Sequence, residues 1–166
     1  MTMDSATGQI RRILTALFGE LVRGASADAA FVLNPSDPGL LRSLEQLSAA
    51  DASRVLPDHT SSVAAHLDHL RYGLELMNRW HRGEDPFAEA DYAASWRRVS
   101  VTDAEWAALK TEFRIQAEAW SAALEDTRPL DDITLTGIVA SVVHLAYHLG
   151  AIRQLAPKAA GPRAKD

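Results

Sequence analysis

ITLTGIVASVVHLAYHLGAI, Ile133 to Ile152, runs for twenty residues without an Asp, Glu, Lys or Arg. Such a run is long enough to cross a bilayer. Its two histidines, hydroxyl side chains and two glycines suit lipid poorly, so it reads as a fully buried helix, the centre of an all-α protein. Working outward, the rest of the chain shows helical spacing. Trp106, Leu109, Phe113, Ala117, Trp120 and Leu124 step mostly by three and four behind a Thr102–Glu105 capping box. Val63, Leu67, Leu70, Leu74 and Met77 mark a second long helix that starts at Ser61 or Ser62 and stops near Gly83 and Pro86. Ile10, Ile13, Leu14, Leu17, Phe18, Leu21 and Val22 mark another, with Arg11, Arg12, Glu20 and Arg23 expected to face water.

Between these lie long connections. The segment from Gly24 to His59 carries Pro35, Pro38 and Pro57, and Asp37-Pro38 can cap a short helix through Leu40, Leu41, Leu44 and Leu47. A short helical piece is expected around Ala90 to Arg97. No run alternates with a period of two, so no sheet is predicted. Three amphipathic helices packed on a fourth, deeply buried one give a four-helix bundle. Residues 1–156 form its single domain, and Pro157 to Asp166 is expected to be a flexible tail.

At 166 residues a single domain buries roughly 70% of its unfolded surface. The chain is 47% hydrophobic and 23% charged, which excludes a disordered or fibrous protein. It has no cysteine, so disulfides, thiolate metal sites and a cysteine nucleophile are excluded, and thiol chemistry would need an external thiol. Net charge is −5 with no long basic run, which argues against nucleic-acid binding through phosphates. The N-terminus MTMDSATGQIRR lacks the apolar core of a signal peptide, so a cytoplasmic location with no membrane association is expected.

The chemistry is carried by histidines. His144 and His148 are four positions apart, about 40° on a helical wheel, one turn above the other, and can chelate one divalent ion. They share a face with Gly137 and Ser141, away from the Leu135–Val142–Leu149 stripe. Buried imidazoles need hydrogen-bond partners or a metal to offset desolvation. A third ligand must come from another helix. His66 falls about 60° and His69 about 120° from the centre of the second helix's apolar stripe, so His66 is preferred, with His69 as substitute or outer partner. His81, beside Arg82, suits a helix C-terminus, and His59 carries no special signal. Three histidines alone leave coordination positions open, the pattern of catalytic rather than closed structural sites. Zinc, nickel and iron all accept imidazole.

SSVAAHLDHLRYGLELMNRW at 61–80, followed by ASVVHLAYHLGAIRQ at 140–154, resembles the DinB-like (YfiT-related) superfamily. The resemblance covers most of the chain and implies a four-helix bundle of up-down-down-up connectivity, with short extra helices in the connections, a homodimer and a metal site near one end. Carried over by position, its triad falls on His66, His144 and His148, and His69 is the departure from the simplest pattern. Relatives include enzymes that use low-molecular-weight thiols for transfer or isomerisation. A metal-dependent transferase acting on a small-molecule substrate is therefore the leading expectation, and a non-catalytic metal-binding or dimeric stress-response module the alternative. Tyr147, Arg153 and Trp96 are candidates to line the pocket. Asp68 and Glu75 are expected to be solvated. Gly-rich phosphate loops and Gly-x-Ser-x-Gly elbows are absent.

Overall fold

Helix starts are set by side chains that satisfy the free amides of a first turn. The computed structural model describes residues 3–127 and 130–162. Among them all regular structure is helical: α1 (Met3–Arg23), α2 (Gly39–Glu45), α3 (Ala49–Ser53), α4 (Val63–His81), α5 (Asp103–Leu124) and α6 (Asp132–Leu155), with 3-10 turns at Ala94–Trp96 and Pro157–Ala159. Ser62 caps α4, its Oγ accepting from the Ala65 amide at 3.2 Å and donating to the Val99 carbonyl at 2.6 Å. Thr102 and Glu105 form the expected capping box on α5, and Asp131 accepts from the Thr134 amide to start α6. The short α3, with a capping box between Ser48 and Asp51, was not foreseen.

The core lies among the four long helices. Phe18 and Leu21 come from α1, Leu67 and Leu70 from α4, Phe113 and Trp120 from α5, Leu145 and Ile152 from α6. The whole expected α5 stripe is buried. Helix α4 packs most extensively on α5 and also on α6, while α1 packs on α6 and α2.

Several expectations are corrected. Helix α6 is not the deepest: it is long and apolar enough to cross a membrane by length and composition, yet only 33% of its most apolar window is buried. Its inner face carries Ile138, Val142, Leu145, His148, Leu149 and Ile152, and its outer face carries uncharged but exposed Val139, Val143 and Tyr147. Lack of charge marked tolerance of burial, not burial itself. The deepest segment is the first two turns of α4, where Val63 to Leu70 are buried without a break because the 94–99 segment covers the side turned from the core. Ile10 and Ile13 are exposed although they fit the α1 stripe. Glu20 is buried instead of facing water, its carboxylate accepting from the amides of Phe31, Val32 and Leu33 at 2.7–3.1 Å. Only Ala94–Trp96 of the expected 90–97 piece is helical.

The end of the described chain also makes contacts with the rest of the protein. Ala159 is buried, Lys158 pairs with Asp51 at 3.0 Å, and the Asn34 side chain donates to the Pro162 carbonyl at 2.7 Å. Residues 163–166 of the expected tail lie outside the described residues. Gly24 and Gly39 have φ of +106° and +69°, and a Cβ on either would run into the other's neighbourhood, so the exit of α1 and the start of α2 can cross only with glycine at both places.

Arg153 locks this crossing to α6. Its guanidinium donates to both carboxylate oxygens of Asp37, at 2.9 and 2.6 Å, with the Asp37 side chain only 2% exposed. Breaking one side of a buried pair strands the other charge. Asp37→Ala is expected to lower stability by about 3 kcal/mol, read as a shift of the urea midpoint. The double variant Asp37→Ala, Arg153→Met should recover part of that loss, and equal losses in both would show that the stranded guanidinium is not its cause.

Candidate metal centre

Four histidines from two helices meet where α4 and α6 face one another. His66 and His69 come from the buried first turns of α4, and His144 and His148 from successive turns of α6. The expected i, i+4 relation holds, with the His144 and His148 rings 4.4 Å apart between centroids. One ligand atom each from His69, His144 and His148 lies within 4.8 Å of the others. His66 touches the same group from behind, its Nδ1 2.8 Å from Nδ1 of His148 and its ring 5.0 Å from that ring. The helical wheel preferred His66 as the third ligand; the nitrogen atoms that lie within 4.8 Å of one another come from His69, His144 and His148. Exposure does not separate the two α4 residues, at 7% for His66 and 9% for His69.

Hydrogen bonds orient these rings. The Ser95 hydroxyl donates to the Tyr92 carbonyl at 2.7 Å, so its oxygen accepts from His69 Nδ1–H at 2.8 Å. That assigns His69 the Nδ1–H tautomer and leaves the lone pair on Nε2, the arrangement found where an outer partner orients a metal-binding imidazole. Ser61 lies 3.1 Å from His66 Nε2, so a relay runs from Ser61 through His66 to His148. When His148 Nδ1–H donates to His66, its Nε2 is left with a lone pair as well. His144 makes no hydrogen bond to another described residue.

The ligand set fits a divalent cation. Burial is the main cause of lowered basicity at all four rings. His148, 1% exposed, is pushed down to about 3, with His144, His66 and His69 adding repulsion. His69 is pushed down to about 4 by burial, then by His144 and His66, against an opposing pull from Asp68. His66 and His144 shift the same way for the same first reason. At neutral pH the group is therefore a set of neutral nitrogen donors, as imidazole coordination requires.

Trp96 stacks its ring on His69 at 4.4 Å and meets His66 edge-on at 5.1 Å. Tyr147 meets His148 edge-on at 4.9 Å and stays exposed. Arg153 lines neither concavity beside the histidines, because Asp37 holds it. Asp68 is not solvated: it is buried and pairs with Arg71 at 2.8 Å and Arg98 at 3.3 Å, while Glu75 pairs with Arg71 at 2.7 Å. Sequence reasoning missed Ser61 and Ser95. For Ser95 the available signal was its position three residues after Tyr92, which lets a 3-10 turn return the hydroxyl to a carbonyl. Compared with family models, curated proteins and solved structures, the chain matches none.

These shifts predict how stability changes with pH. Unfolded histidines titrate near 6.5, whereas the buried rings stay neutral to lower pH. Between those values the unfolded chain binds more protons, so stability falls as pH drops. The urea midpoint of the metal-free protein should hold above about pH 7 and decline from there toward pH 4. His148→Leu should flatten that decline, and an unchanged slope in this variant would contradict the burial argument.

Proposed function

We propose that this chain is a divalent-metal-binding helical-bundle protein of DinB-like type, with four long helices connected up-down-down-up, and that it works as a metal-dependent transferase using an external thiol. The observation that carries this reading is the convergence of His69, His144 and His148 within 4.8 Å, two of them already oriented by outer partners. We assign His69, His144 and His148 as ligands, with His66 holding His148. Resemblance alone would have put His66 in the triad, and the two assignments differ in what His66→Ala and His69→Ala should do. Zinc, nickel and iron all suit the site.

Three protein ligands leave room for a substrate atom. A bound divalent ion supplies Lewis acidity and lowers the pKa of a thiol or water beside it. The chain's own part is to hold its imidazoles neutral, to shield the site with Trp96, and to present it to concavities on two sides. The absence of cysteine means that no protein thiol competes with the external one. A non-catalytic metal-binding module is the alternative, and turnover separates the two. A homodimer in the cytoplasm belongs to the same proposal and is read by sedimentation and fractionation.

Metal content per chain, measured by mass spectrometry on untagged protein, tests the site. Near one ion is expected in wild type and none in His144→Ala, His148→Ala. His69→Ala should lose the ion, whereas His66→Ala should keep it with about 10- to 100-fold weaker affinity. At one hundred times its dissociation constant the ion should add about 2.7 kcal/mol to stability. A wild type that takes up none of the three metals overturns the proposal, and a loaded protein without thiol conjugation leaves only the binding module.

A further inference from the structure

The histidine group divides two unlike spaces. Toward the N-terminus of α4, a concavity of about 550 Å³ is bordered by polar groups, among them His59, Thr60, Ser61, His66 and Gln154. Toward the C-terminal half of α4, a cavity of about 480 Å³ opens between α4 and α6. Its walls include Leu70, Leu74, Met77, Phe87 and Val143, and no Asp, Glu, Lys or Arg lines it. Ser141 on its wall is already satisfied, donating to the Ile138 carbonyl and accepting from Trp120 Nε1–H. His144 lines this cavity and also belongs to the converging triad.

Gly73 lines this space. It sits in the interior of α4 with ordinary helical backbone, where glycine costs about 1 kcal/mol relative to alanine. No neighbour requires it, since a Cβ built there meets nothing within 4 Å. Its lack of a side chain leaves the wall open where the cavity lies. Around the mouth, Phe87 is 41% and Tyr147 68% exposed, apolar surface that water does not favour. The volume is that of a small-molecule site.

We propose that this cavity binds a small molecule with an apolar body and one polar end, the body lying against Gly73 between α4 and α6 and the polar end at His144. Sugars and nucleotides suit it poorly, because no Asp, Glu, Lys or Arg lines it and most of its wall is apolar. The polar end reaching a bound ion rests on the metal reading above; the apolar site itself does not.

Calorimetry with n-alkyl hydroxamates, from acetohydroxamate to octanohydroxamate, on the zinc-loaded full-length chain tests both parts. Affinity should rise about three- to fourfold for each added methylene. Gly73→Leu should abolish that dependence while leaving zinc content and acetohydroxamate affinity unchanged and the melting temperature no lower. Ala140→Phe, from the α6 wall, provides a second block should Gly73→Leu unfold. A flat series in wild type, or a dependence that both folded variants preserve, overturns the proposal. If the protein takes up no zinc, 1-octanol with the metal-free chain decides this proposal, and the metal reading fails only if nickel and iron are refused as well. Binding lost in the variants upholds the apolar site, and no binding to wild type removes it.

Discussion

Desolvation of the imidazoles between α4 and α6 is the constraint on which the site depends. Four basic rings have been brought close together and largely out of water, and burial favours the neutral form of each. Neutrality fixes the need for hydrogen-bond partners, which His66, His69 and His148 find. Ser95 is held against His69 because the 3-10 turn at Ala94–Trp96 aims its hydroxyl at the Tyr92 carbonyl. Ser61, next to the residue that caps α4, reaches His66. The 94–99 segment is thus more than a connection: it roofs α4 through Trp96 and through the Ser62–Val99 hydrogen bond, and it selects the tautomer of one ring.

The same logic gives each remaining buried charge a partner. Asp37 and Arg153 neutralise one another at the crossing of Gly24 and Gly39. Glu20 is surrounded by three successive amides, which supply the positive end of their dipoles without a cation. Asp68, one residue from His69, is turned to Arg71 and Arg98. Asp68 still pulls a proton toward His69, but burial and the neighbouring imidazoles outweigh it and keep the ring neutral.

Much of this was legible in the sequence, for reasons that also mark where legibility ended. The α5 stripe and its capping box rest on spacing within one helix, and the structure keeps both. The His144–His148 pair is equally local. The choice between His66 and His69 was not local. A helical wheel measures angle from the average apolar direction, but the first turns of α4 are covered all round, so an angle of about 120° does not mean exposure there. The cover comes from residues thirty positions later in the chain, and no period reveals it. Helix α6 misled in the opposite direction. Val139, Val143 and Tyr147 add to its apolar character while sitting on the outside, so composition pointed to a core helix where the structure has a wall.

That wall accounts for an otherwise costly pattern. A helix with one buried face gains nothing in solubility from an uncharged outer face, and charged residues could occupy Val139 or Val143 without disturbing the core. Charge at Val143, however, would stand beside the space that His144 faces, and would hydrate it. Gly73 across the cavity carries a parallel cost in helix propensity with no close contact to justify it. The two helices that bring the imidazoles together thus each give up something at the same cavity, one a soluble surface and the other a stable helical residue. Losses that coincide in space but arise on separate helices are what selection for an open apolar chamber beside the histidines would leave behind.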